Sequence, residues 1–434
     1  MAEWSNVFVL GLDELNLGVL EALPGADGLR FHGLLDRDDL RDLAHLDLPA
    51  LLAQAERTLR DFEGRVHAVI GYWDFPVSSL VPILCHRFGL PGPELEGVLR
   101  CEHKYWSRLE QSEVIAEHPA FALVPFDDPA PPEGVGFPMW LKPVKSASSV
   151  LAFHVEEERG FAEAVARIHE RIDEFGRPFD LLLDHVSLPA EIEEVGGRAC
   201  LAEEAAVGRQ VTVEGYCVEN SPHVYGVVSS VHYPNSSCFH RYQYPARLPR
   251  EVVDRLTDIT TRVMRRMGLG SSTFNVEYFW DPETDRVNLL EINPRLSQSH
   301  AQLFECVDGV SNLHALVQIG LGRDPEMPQR KGRYAVAAKV FLRLFEEFDD
   351  AVVTRAPGPE RVAGIARELP GIISVSAVVQ EGTRLADVPH QDPYSHVLAN
   401  VVVAADDEDE LLARYERCVD ELGFELSAVE ETRA

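Results

Sequence analysis

The chain has 434 residues, too many for one hydrophobic core and enough for two or three domains of ordinary size. Its 45% hydrophobic and 26% charged residues are those of a soluble globular protein, and no run approaches the roughly 20 apolar residues that a membrane span needs. A net charge of -31, from 71 acidic against 40 basic residues, disfavours nucleic-acid binding, which needs a basic surface.

The first hundred residues alternate short apolar runs with helical patterns. Strands are expected at Val7 to Gly11, Phe31 to Leu35 and Val66 to Gly71, and helices at Leu15 to Leu23, Ala50 to Phe62 and Val77 to Phe88. Strands separated by helices imply a small parallel sheet, an α/β domain of Rossmann-like build over residues 1–100. No GxGxxG is present, so dinucleotide binding has no support. A Pro/Gly-rich connection at 127–138 follows. Beyond it the pattern predicts strands at 139–144, 150–155, 180–184, 211–218, 224–231, 273–280 and 287–293. Helices are expected at 160–174, 249–267 and 308–320, and the acidic run Glu191 to Gly197 reads as a mobile surface segment.

After a connection at Asp324 to Gly332, strands near 334–345, 372–380 and 396–404 alternate with helices near 359–368 and 406–421. This is a separate α+β unit. Its acidic run Asp406 to Glu410 fits the first turn of a helix, where the dipole favours carboxylates. The seven cysteines are scattered and form no CxxC, which argues against a disulfide framework and a zinc site. No charged-then-apolar N-terminus reads as a signal peptide, so a cytoplasmic location is expected.

The sharpest chemical feature lies at residues 274–295. Two β-prone runs, Phe274 to Trp280 and Val287 to Asn293, flank an Asp-Pro-Glu-Thr-Asp turn. If Asp281 pairs with Val287, antiparallel register sets Glu277 directly opposite Glu291, with Asn293 on the same face as Glu291. Like charges directly opposed across two strands repel, unless they are solvated or bridged by a cation. Carboxylates plus an amide oxygen suit a hard cation such as Mg²⁺ that shares its shell with phosphates. A two-sided amphipathic hairpin with solvated acids is the alternative these residues alone leave open.

Glu-x-Asn-Pro-Arg after a hairpin with an upstream Asn-x-Glu resembles the metal-binding end of the ATP-grasp superfamily. The resemblance implies that Glu277, Glu291 and Asn293 hold Mg²⁺ (Mn²⁺ can substitute) on ATP, and that Arg295 steadies the transferred phosphoryl. It implies a phosphate lysine after the first domain, matched by Lys104, and a second ending a strand before Pro and a loop, matched by Lys142. Ser148 and Ser149 stand in that loop where relatives carry glycine. Glu203, Glu204 and Ala205 match the adenine-binding segment, and Gln210 stands where many relatives have Glu. The implied fold is α/β: a Rossmann-like pre-ATP-grasp domain at 1–100, an ATP-grasp domain of two α+β subdomains clasping ATP at 101–330 with a lid at about 136–208, and a C-terminal α+β domain at 331–434.

The implied reaction makes an acyl-phosphate from a small carboxylic acid or amino acid, which an amine then attacks to give an amide, ADP and phosphate. Arg295 and Lys142 are the expected catalytic pair. Biotin carboxylase follows its corresponding Arg with Gln, an acidic base and His, whereas this chain reads Arg295-Leu296-Ser297-Gln298-Ser299-His300. Serine in the base's place favours amide formation, as in L-amino-acid ligases, over carboxylation. Glu214, His232, Tyr233, Arg241, Ser299, His300 and Arg295 are candidate substrate residues, Arg241 in a polar-aromatic loop able to clamp a carboxylate or simply to cover the sheet. A biotin-carboxylase-like enzyme and a non-catalytic nucleotide-binding module are the alternatives. No nucleic-acid or membrane partner is expected, and a homodimer is one assembly open to the chain.

Overall fold

The computed structural model describes residues 4–427, except 42–45, 147–149, 235, 237, 346–350 and 389–394. The chain divides into two units. The first comprises Met1–Tyr225, Leu248–Gln298 and Leu313–Met327, and the second Gly226–Arg247, Ser299–Asn312 and Pro328–Ala434.

The first unit starts with the expected parallel sheet. Ser5–Leu10 lies between Leu29–Leu34 and Val66–Ile70, parallel to both. Val7 to Leu10 are all buried, as in a strand covered on both faces. Helix Val77–Phe88 stops at Gly89, whose φ of 63° lets its N–H reach the carbonyls of Cys85 and His86.

Two helices absent from the sequence expectation follow, Leu95–Glu102 and Lys104–Ser112. His103 joins them: it ends the first, and its Nδ1 accepts the Trp106 N–H at 3.1 Å to start the second. A second, antiparallel sheet orders Phe121–Val124, Cys200–Glu204, Met139–Pro143 and Phe153–Val155. Helix Glu158–Arg171 packs on it through Phe161, Ala164, Val165 and Ile168.

Two expectations fail between these elements. Of residues 180–184, expected as a strand, 180–183 belong to helix Asp173–Leu183 and Asp184 caps it. Phe175, Phe179, Leu182 and Leu183 recur at helical spacing and are buried there. The acidic segment at 191–197 contains helix Ala190–Val195, pinned by a fully buried Ile192 that joins the core of Phe179, Leu182 and Leu183. A third sheet segment places Ser272–Trp280 between Val287–Asn293 and Arg209–Val218, all antiparallel. Amphipathic helix Arg250–Met267 supports it, and its Thr260 hydroxyl meets the Tyr278 hydroxyl at 2.7 Å.

The second unit is built on antiparallel strands Phe239–Tyr244, Val336–Phe345, Ser395–Ala405 and Ile372–Ala377, in that order. Helices Pro359–Glu368 and Glu408–Leu422 bury Ile365, Leu411, Cys418 and Leu422 against Val336, Ala338, Val340, Val401 and Val403. Asp407 caps the second helix by accepting the Glu410 N–H at 2.8 Å, as its acidic first turn foretold. The helix expected at 308–320 starts at Leu313 and runs to Gly320, and a separate helix, Ala301–Asp308, precedes it and ends at Gly309 with φ 92°. All seven cysteines are buried free thiols, and no described helix is long and apolar enough to cross a membrane.

Candidate functional site

Glu277 does face Glu291, though not by the expected arithmetic. At the turn Val287 pairs with Trp280 rather than Asp281, one residue out of the expected register. A bulge then shifts the pairing between Glu277 and Tyr278: Tyr278 faces Leu289, Glu277 faces Glu291, and Leu290 is left over. Such an irregularity releases backbone groups from the ladder, and those groups need other partners. Arg108 supplies them. Its guanidinium donates to the Leu289 carbonyl at 2.9 Å and to the Leu290 carbonyl at 2.7 Å.

The facing carboxyls leave a charge unbalanced. Burial, with Glu291 next, pushes the Glu277 carboxyl up to about 7. Gln210 Nε2 donates to Glu277 at 2.8 Å, so the residue in the position of the relatives' Glu touches the candidate metal site. Asn293 Nδ2 donates to Asn275 Oδ1 at 3.0 Å and lies 3.4 Å from Glu277 Oε1. That orientation leaves Asn293 Oδ1 to accept or coordinate. Two carboxylates and one amide oxygen fit a hard divalent cation. Among the described residues no group of three or more His, Cys, Asp or Glu side chains could hold a metal by itself. The set therefore fits an ion that completes its shell from a phosphate.

Basic groups gather on the same unit. The chain has five lysines, at 104, 142, 145, 331 and 339, and three of them meet here. Lys104 Nζ donates to the Ser146 carbonyl at 2.9 Å, Lys142 Nζ pairs with Glu203 at 2.5 Å, and Lys145 Nζ with Glu102 at 2.6 Å. Burial lowers the Lys104 pKa; Glu291 opposes that, and Lys142 and Lys145 reinforce it. Burial alone would raise Glu203, but Arg108, at 2.8 Å, and Lys142 outweigh it and hold the carboxyl at about 2. Its carboxylate is thus taken by Arg108 and Lys142 rather than left for a ribose. The Glu204 N–H bonds to Ala120 O at 2.9 Å and the Ala205 N–H to Pro138 O at 3.1 Å, so those two backbone donors are already used. Ser148 and Ser149 lie outside the described residues.

Arg295 NH2 pairs with Asp74 at 2.7 Å, while its buried Nε has no hydrogen-bond partner. Burial opposes ionisation of Asp74, but Arg295 and then Lys145 overcome it and hold its carboxyl below the usual carboxylate range. Asp74 and Arg108 escaped the sequence reading. Asp74 follows the strand Val66–Ile70, beyond the carboxyl end where open α/β sheets bind ligands, and that position was the available signal. Glu214 is fully buried opposite Asn275, accepting the Ser297 N–H and the Tyr225 hydroxyl, each at 3.1 Å.

The other candidate substrate residues lie in the second unit. His232 stacks on Phe239 at 4.8 Å, and His300, buried, meets the edge of Tyr242 at 5.1 Å. Ser299 accepts from Lys339 at 3.1 Å. Tyr233 donates to Phe341 O at 2.7 Å. Arg241 corrects its expectation. It sits on strand Phe239–Tyr244 rather than in a loop, and it faces away from Tyr242 because side chains alternate. Its guanidinium binds Gln243 and Glu408, each at 2.8 Å, on the face covered by helix Glu408–Leu422.

Residues 135–302 match the family described as ATP-grasp domain. The uncharacterized protein y4rH of Sinorhizobium fredii is 24% identical over 387 residues, covering 88% of this chain and 72% of that one. An L-amino acid ligase from Bacillus licheniformis superposes with a TM-score of 0.70 at 14% identity, covering 99% of this chain and all (100%) of that one. Biotin carboxylase from Campylobacter jejuni gives a TM-score of 0.61 at 15% identity, covering 97% and 92%.

Proposed function

We propose that this chain, whose residues 135–302 match the ATP-grasp domain, acts as an ATP-dependent carboxylate–amine ligase, joining an acid or amino acid to an amine with release of ADP and phosphate. The observation that carries this reading is Glu277 set face to face with Glu291, beside Asn293, in the unit that also gathers Lys104, Lys142 and Arg295.

Glu277, Glu291 and Asn293 would hold Mg²⁺, which when bound neutralises phosphate oxygens of ATP. Lys104 and Lys142 place fixed positive charge where the triphosphate gathers negative charge, and that charge needs no reorganisation during transfer. Arg295 keeps one buried N–H unsatisfied, a donor available to the transferred phosphoryl or to the acid's carboxylate. In-line attack by that carboxylate yields the acyl-phosphate, and the amine displaces phosphate from it. Few acid–base groups are required, since alignment and charge neutralisation carry most of the barrier reduction. Glu204 and Ala205 would border the adenine and Glu214 a substrate; within the second unit His232, Ser299 and His300 are the substrate candidates.

The test is ADP release from ATP and Mg²⁺ in a screen of amino acids, amines and small carboxylic acids, followed by product mass. An amide or peptide product supports the ligase. Bicarbonate-dependent carboxylation, or ATP cleavage that no mixture stimulates, overturns it.

A further inference from the structure

Four of the five lysines are accounted for: Lys104 and Lys142 by the proposed nucleotide site, Lys145 by its pairing with Glu102, and Lys331 by exposure. Lys339 is neither. It is partly buried in strand Val336–Phe345, and its ammonium donates to Ser299 Oγ at 3.1 Å and stands 5.5 Å from the Phe341 ring centroid. No carboxylate among the described residues pairs with it, in a chain with 71 acids. Burial lowers its pKa and no neighbouring acid opposes that. A cation withdrawn from water without a counter-ion costs free energy that a methionine of similar bulk would not.

The same face carries a second unmet need. Strand Ser395–Ala405 runs antiparallel beside Lys339, with Val402 opposite Lys339 and Asn400 opposite Phe341. Asn400 is therefore the diagonal neighbour of Lys339 on one face, about 7–8 Å away backbone to backbone and within reach of a long side chain. Its Oδ1 is buried and has no hydrogen-bond partner. Tyr242, directly opposite Lys339 on the other side, turns its ring edge-on to Phe341 at 5.4 Å. Because Ser299 accepts from the lysine, its own O–H is left to donate. The face thus offers a cation, a hydroxyl donor and an amide acceptor around Phe341.

We propose that this face of the second unit is a binding subsite for a small molecule carrying a carboxylate close to an N–H or O–H donor, with Lys339 and Ser299 taking the carboxylate and Asn400 Oδ1 the donor. An α-amino acid has that chemistry. The binding claim itself needs no turnover.

Protection from trace acetylation, read by peptide mass spectrometry on the full-length protein, tests it without catalysis. A mixture of amino acids should reduce labelling of Lys339 several-fold while leaving exposed Lys331 unchanged, and the matching amino-acid amides should protect neither. Equal labelling in every mixture overturns the subsite. Protection by inorganic phosphate and not by amino acids overturns the carboxylate assignment.

A second arm uses Lys339→Met, which removes charge and keeps bulk, in direct titration of the full-length protein with the protecting amino acid. The Kd should rise about tenfold, and Lys339→Arg should recover most of the loss. An unchanged Kd overturns the proposal.

Discussion

Glu203 and Glu277 are the same chemical group in the same unit, and their surroundings drive them apart. Glu203 is buried between Arg108 and Lys142 and is held at about 2, whereas Glu277 faces another carboxylate and rises to about 7. The first is neutralised from within the fold, so it builds structure. The second faces a like charge that Arg295, Gln210 and Asn293 only partly offset, the kind of site a cation would relieve. An acidic chain marks its chemistry by where charge is left unbalanced, not by where acids are most numerous.

The largest test of that contrast removes the neutralised side. Arg108→Met strips Glu203 of its guanidinium and the Leu289 and Leu290 carbonyls of their donors. A loss of about 3–5 kcal/mol is expected in denaturant unfolding, the scale for breaking a buried pair. A loss below about 1 kcal/mol would refute the structural half of the comparison.

Glu291→Gln removes the unbalanced side. ADP release should fall by about 10²–10³-fold, as for loss of one preorganised electrostatic group, with the melting temperature little changed. Full activity in this variant would refute the functional half.

Glu203→Gln sharpens the comparison through pH. Because the folded-state pKa is depressed from 4.5 to about 2, its contribution is present above pH 4.5 and is lost as pH falls through about 2. The variant should be less stable than the parent by on the order of 3 kcal/mol near neutrality, and the gap should close between those two pH values in thermal melts. A gap independent of pH would point to packing instead.

Asp74→Asn is the mildest change. It loosens Arg295 without removing it, and kcat/KM should drop about tenfold, a near-attack alignment effect. No change in steady-state kinetics would make the pair purely structural.

Much of this was legible in the sequence. The alternation of strand and helix in the first hundred residues, the limits of helix Val77–Phe88 and the hairpin strands follow from apolar period and turn chemistry. Local pattern could not separate the apolar run 180–184 from a strand, because short buried helices and strands look alike at that length. Nor could it find Arg108 or Asp74, whose partners lie 95 and 221 residues away. The candidate metal residues could be proposed together from the sequence because a hairpin joins them locally. Arg241 was misjudged because a polar-aromatic run resembles a loop until the neighbouring strands are known.

The bulge at Leu290 has a practical reach. Glu277 is fixed by its third-strand partner Thr212 on one side and by the clamped bulge on the other, so the turn beyond Trp280 does not set the position of the carboxylates. Pro282 to Arg286 are exposed at the hairpin tip. A fluorophore attached, or a short reporter loop spliced in, at Glu283 would ride on the same two strands as the Glu277–Glu291 pair while leaving their register untouched, giving an optical handle on occupancy of the site.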